Sequence, residues 1–124
     1  MEPKMFMLYV SDMDASVALY HGVLGIEPDR PTPAFASFLL SSGLRFDLVL
    51  GTAVDPAPTA GGGAIETCFL VDSRGDVERV HDLWRARGLP IALAPQDKPF
   101  GYTLVGVDPD GHRLRVIGPS VDPS

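Results

Sequence analysis

The chain has little cysteine, no long apolar run and a shortage of positive charge, and each scarcity excludes something. Cys68 is the single cysteine, so there is no internal disulfide and no multi-cysteine zinc site, in keeping with a reducing compartment. No apolar stretch reaches the roughly 20 residues of a membrane span. The opening Met1-Glu2-Pro3-Lys4 lacks the basic-then-apolar order of a secretory signal. The expected location is the cytoplasm. Lys and Arg number 10 against 16 Asp and Glu, a formal net charge of −6, which disfavours nucleic acid, since phosphates reward clustered cations. Gly61-Gly62-Gly63 is not followed by the Lys-Ser/Thr of a P-loop.

What the chain does have is a repeat. Met5 to Val10, leading into Ser11-Asp12, lines up with Glu66 to Val71, leading into Asp72-Ser73. Near the two ends, Gly43-Leu44-Arg45-Phe46-Asp47-Leu48-Val49 lines up with Gly111-His112-Arg113-Leu114-Arg115-Val116-Ile117. Half-domains this small cannot bury their own apolar faces, so they are expected to share one curved sheet and one cavity. At 45% hydrophobic and 21% charged, residues 1–124 read as one folded domain. Its half-repeats cover about 5–51 and 64–118, joined by a flexible loop over 52–63 that is rich in Pro and Gly.

Each half reads as strand, helix and three strands, an α+β arrangement of two βαβββ units with the helices on the outer face. Met5 to Val10 alternates as a strand, and Ser11 or Asp12 caps a helix in which Met13, Val17, Tyr20 and Leu24 recur at helical spacing before Gly25 stops it. Pro28, Pro31 and Pro33 limit the next stretch to an edge strand. Phe35 to Leu40 and Leu44 to Leu50 form an antiparallel pair, with Phe46, Leu48 and Leu50 on one side and Arg45, Asp47 and Val49 on the other. In the second half, Ala64 to Val71 is a strand. Ser73 or Asp76 begins a helix carrying Val77, Val80, Leu83 and Trp84, which Gly88 ends. Pro90 to Pro95 is a short edge, and Tyr102 to Val107 and His112 to Ile117 flank the turn Asp108-Pro109-Asp110-Gly111.

The segments Leu8-Tyr9-Val10-Ser11-Asp12, Ser16, Leu19-Tyr20, Leu24-Gly25 and Asp108-Pro109-Asp110-Gly111-His112 resemble the vicinal oxygen chelate superfamily. That superfamily contains glyoxalase I, extradiol dioxygenases, and the bleomycin- and phenazine-resistance binding proteins. The resemblance spans residues 5–118 and is nearest the phenazine-resistance type, through Ser41-Ser42-Gly43 and Phe100-Gly101. For metal-dependent members it implies ligands on the inward faces of four strands, at positions that map here to Met5, Asp47, Glu66 and Arg115. Two are oxygen donors, where a catalytic site takes about three protein ligands. Met5 is a soft thioether and Arg115 a permanent cation. At an effective dielectric near 20, unit charges about 4 Å apart interact by roughly 4 kcal/mol, so an arginine in the ligand ring repels a dication. The expectation is therefore no metal, no cofactor and no catalytic residue. Arg115 instead neutralises Asp47, Glu66 or both, a pairing as readily structural as ligand-binding.

By alternation Met7, Val49 and Cys68 point the same way as those positions. Phe35, Leu39, Phe100 and Tyr102 offer stacking faces. The candidate ligand-binding set is thus Met7, Phe35, Leu39, Asp47, Val49, Glu66, Cys68, Phe100, Tyr102 and Arg115. Each has a plainer role available: thioethers and aromatics fill cores, and Cys68 reads as a small buried wall residue. Trp84 lies on a helix stripe and is assigned to packing. His21 and His81 sit on helices and His112 follows a turn, so the histidines make no metal cluster. Asp12, Asp72 and Asp76 are helix caps rather than acids in a mechanism.

The favoured expectation is a metal-independent protein that binds and sequesters a planar aromatic small molecule, such as a phenazine- or bleomycin-class antibiotic, as a homodimer. The rivals are a metal-dependent lyase or dioxygenase of the glyoxalase type, an isomerase using Glu66 or Asp47 as base, and an interaction module.

Overall fold

The computed structural model describes residues 1–123. The chain divides into two compact units, Met1–Ala60 and a second that begins at Gly61. Each holds one half-repeat, and among the described residues the strands pair within the repeat into two four-stranded mixed sheets.

The first unit runs β1 (Met5–Val10), α1 (Met13–Leu24), β2 (Asp29–Thr32), β3 (Phe35–Leu39) and β4 (Arg45–Leu50). Asp12 caps α1 by accepting from the Ala15 N–H at 3.1 Å, and Gly25, at φ 72°, closes it by donating to the His21 carbonyl. Spatial order is β1-β4-β3-β2, with β1 parallel to β4 and the other pairs antiparallel. As the prolines require, β2 is the edge. On the helix-covered face Tyr20 lies against Phe46 with ring centroids 4.9 Å apart, beside buried Leu8, Val10, Ala36, Phe38 and Leu48. Ser16 takes the buried place between Met13 and Tyr20, while Val17 and Leu24 are half-buried at the rim of the stripe.

The second unit runs β5 (Glu66–Leu70), α2 (Arg74–Ala86), β6 (Ile91–Lys98), β7 (Gly101–Val107) and β8 (Arg113–Gly118). Its order, β5-β8-β7-β6, and its parallel β5–β8 pair repeat the first. Ser73 is the α2 cap, accepting from the Asp76 N–H at 3.0 Å; Asp76 lies in the first turn and pairs with Arg79. Trp84 is buried against Gly106, where an added Cβ would stand 2.8 Å from the indole Cε3. Leu83, expected in the stripe, is exposed, because Val77 and Trp84, two helical turns apart, set the direction of the buried line.

Two boundaries differ from expectation. β6 continues to Lys98, past Pro95, because the register shifts between Leu93 and Gln96 and the proline falls where the ladder is interrupted. β7 begins at Gly101, one residue before the expected Tyr102, and Phe100 stands in the turn that precedes it. In the Asp108–Gly111 turn, the Gly111 N–H donates to the Asp108 carbonyl at 3.0 Å. The Asp108 carboxylate accepts from the Asp110 and His112 amides. Among the described residues no helix is long and apolar enough to cross a membrane.

Candidate functional site

In each unit the helix covers one sheet face, and strand alternation delivers most candidate residues to the other. In the first unit Met7 is opposite Asp47 across β1–β4, Phe35 is opposite Val49, and Leu39 is opposite Arg45 across β3–β4. Met7, Phe35, Leu39, Asp47 and Val49 therefore share a face. Met7 and Leu39 are exposed, so they are surface side chains rather than core.

Asp47 is fully buried on this face in a closed ring of polar side chains. The Ser37 hydroxyl donates to Asp47 Oδ1 at 2.5 Å. Arg45 donates from Nη2 to Asp47 Oδ2 at 3.0 Å and from Nε to Ser37 Oγ at 2.9 Å. The carboxylate is thus neutralised by its own strand, two residues away. Alternation puts Arg45 and Asp47 on one strand face, but the partner expected for Asp47 is Arg115; Arg45 takes that place, and Ser37 enters through the β3–β4 register.

The second unit solves the same problem differently. Arg115 forks onto Glu66, Nε to Oε1 at 2.8 Å and Nη2 to Oε2 at 3.0 Å, a bidentate pair across β5–β8. Thr103 donates its hydroxyl to the Val116 carbonyl at 2.8 Å, which leaves Oγ1 to accept from Arg115 Nη1 at 3.2 Å. Arg113 Nη1 lies 4.0 Å from Glu66 Oε2. The hydrogen bonds from Arg115 hold the Glu66 carboxyl below its ordinary range; partial burial opposes this, and the charges of Arg115 and Arg113 add to it. The same hydrogen bonds push Arg115 upward. Of the alternatives open to Arg115, the Glu66 pair is the one formed.

Cys68 lies opposite Arg115 in the β5–β8 register and, contrary to expectation, is exposed, because β5 is the edge of its sheet and no helix covers that face. Phe100 is brought to the same place, with the Arg115 guanidinium carbon 5.5 Å from its ring centroid. Tyr102 is not. Its hydroxyl donates to Glu78 on α2 and the Arg74 guanidinium stacks 4.0 Å over its ring, which puts it on the helix-covered side.

The residues at the four implied metal positions do not fit a divalent ion. Both oxygens of Asp47 and both of Glu66 already accept from arginine or serine. A dication there would displace a guanidinium and then face it. Among the described residues no group of three or more His, Cys, Asp or Glu is placed to hold a metal.

Two βαβββ units of this kind, with motifs in matching places, define a recognisable class. The chain belongs to the Glyoxalase/Bleomycin resistance protein/Dioxygenase superfamily, whose family profile matches residues 3–116. Among curated proteins it is 26% identical over 117 residues to the phenazine antibiotic resistance protein EhpR of Enterobacter agglomerans, covering 92% of this chain and 89% of that one. Among solved structures it is similar to protein ATC0852 of Agrobacterium tumefaciens, at 33% identity and a TM-score of 0.84, covering 95% of this chain and 97% of the other. A glyoxalase-related enzyme from Fulvimarina pelagi shares the fold, at 20% identity and a TM-score of 0.83, covering 94% and 87%.

Proposed function

We propose that this protein binds and sequesters a planar aromatic small molecule without a metal, acting in the cytoplasm as a homodimer. The observation that carries the reading is the fate of the two carboxylates at the superfamily's metal positions. Each is engaged by a guanidinium, while thioether and aromatic side chains stay uncovered on the same faces. Such a surface suits a flat polarizable ring, which gains from stacking and from sulfur contacts. The relationship to a protein named for phenazine resistance supports the same class of ligand. A carboxylate-based isomerase is disfavoured because Arg115 lowers the Glu66 pKa, which makes it a weaker base. Exposed Leu70 provides apolar surface for a second copy to cover.

The experiment is metal analysis of the purified protein together with calorimetric titration by phenazine. The expected result is substoichiometric zinc, nickel, manganese and iron, and saturable phenazine binding that survives chelator. A stoichiometric metal with chelator-sensitive turnover would overturn the reading. A single mass in solution at the monomer value would overturn the dimer.

A further inference from the structure

The two helix-free faces carry different charge. In the first unit the Arg45 cation is matched by the Asp47 anion in a closed ring with Ser37. In the second, Arg113 and Arg115 both face the single carboxylate of Glu66, so this cluster holds one positive charge in excess. The contrast comes from two positions in the aligned repeats: Asp47 corresponds to Arg115, which exchanges an anion for a cation, and Met5 corresponds to Glu66, which supplies the one anion.

From this difference, and resting on the aromatic-ligand reading above, we infer that the ligand is an aromatic anion whose acidic group is read by Arg115, with Arg113 in support, beside the ring of Phe100. Arg115 can serve both partners. Its Nε, Nη1 and Nη2 each give one hydrogen bond, to Glu66, Thr103 and Glu66, and each Nη carries a second hydrogen. The guanidinium does not need to leave Glu66, and Thr103, locked by the Val116 carbonyl, keeps its plane fixed. Only 17% of the Arg115 side chain is exposed, so a charge-assisted bond there is less screened than at the open surface. Phe100, by contrast, is exposed and sits next to the cation, so the ring of an aromatic carboxylate can stack while its acid meets the guanidinium.

The test compares phenazine carboxylate with phenazine carboxamide, its uncharged analogue of nearly equal shape, by calorimetry at low salt. The expected result is tighter binding of the carboxylate by about tenfold or more. The double variant Glu66→Gln with Arg115→Met removes the paired charges together and leaves only the half-exposed Arg113, so it should reduce the preference to about twofold or less. Arg113→Gln, which keeps the Arg115–Glu66 pair, should narrow the preference about twofold. Equal affinities in the unmodified protein would overturn the inference and leave the aromatic-ligand reading standing. A preference that persists undiminished in the double variant would overturn the role of Arg115. Failure of both rings to bind would overturn the aromatic reading and this inference with it.

Discussion

Arg115 and Glu66 meet edge to edge, with two parallel hydrogen bonds of 2.8 and 3.0 Å joining β8 to β5. Because the pair holds the Glu66 carboxyl below its ordinary value of 4.5, it contributes stability that is full above that value. The contribution is lost as pH falls through the lower, folded-state value. Urea unfolding between about pH 6 and about pH 3 should show the protein losing its advantage over Glu66→Gln as acid is added. A gap that stays constant across that range would contradict the pairing.

Removing the two ends of the first-unit ring should have unequal effects. Asp47 is fully buried and the Arg45 side chain is 41% exposed, so Arg45 can return to water and Asp47 cannot. Arg45→Met strands a buried charge and should cost about 3 kcal/mol. Asp47→Asn should cost about 1 to 2 kcal/mol, since an amide can keep part of the network. Denaturant midpoints check the order, and a larger loss for Asp47→Asn would refute it.

Gly106 leaves room for the indole of Trp84. A Cβ there would stand 2.7 Å from Leu89 Cδ2 and 2.8 Å from Trp84 Cε3. Gly106→Ala should therefore destabilise the second unit by about 1 to 3 kcal/mol through overpacking. Since Trp84 is the sole tryptophan, its emission should shift to the red as α2 is pushed away from β7. Unchanged emission and midpoint would show that the helix is seated elsewhere.

Asp12 closes the first turn of α1 through the Ala15 amide. Asp12→Ala should cost about 1 kcal/mol of stability, and Asp12→Asn much less. Ligand affinity, measured by calorimetry, should be the same for both. A loss of binding with stability intact would assign this aspartate to the site instead of to the helix.

Much of this was legible along the chain. The strand-helix-three-strand order, a cap at Ser11 or Asp12 and at Ser73 or Asp76, and the stop at Gly25 depend on neighbours a few residues away; in the structure Asp12 and Ser73 are the caps formed. Alternation on β4 separated Arg45, Asp47 and Val49 from Phe46, Leu48 and Leu50 before any packing was known. Tyr102 shares its parity with Gly106, which packs against Trp84, so alternation itself puts it on the α2 side, where Glu78 and Arg74 hold it. Cys68 has the size and polarity of a core residue and is exposed because β5 ends its sheet.

By itself, then, the sequence determined the duplicated fold and the face to which most candidate side chains point, because periodicity and capping act over a few residues. Only the tertiary structure decided which acid each arginine holds. Ser37 reaches Asp47 from the neighbouring strand, and Glu66 lies 49 residues from Arg115. Whether such groups come within hydrogen-bonding distance is a matter of strand register, fixed by the packing of whole sheets.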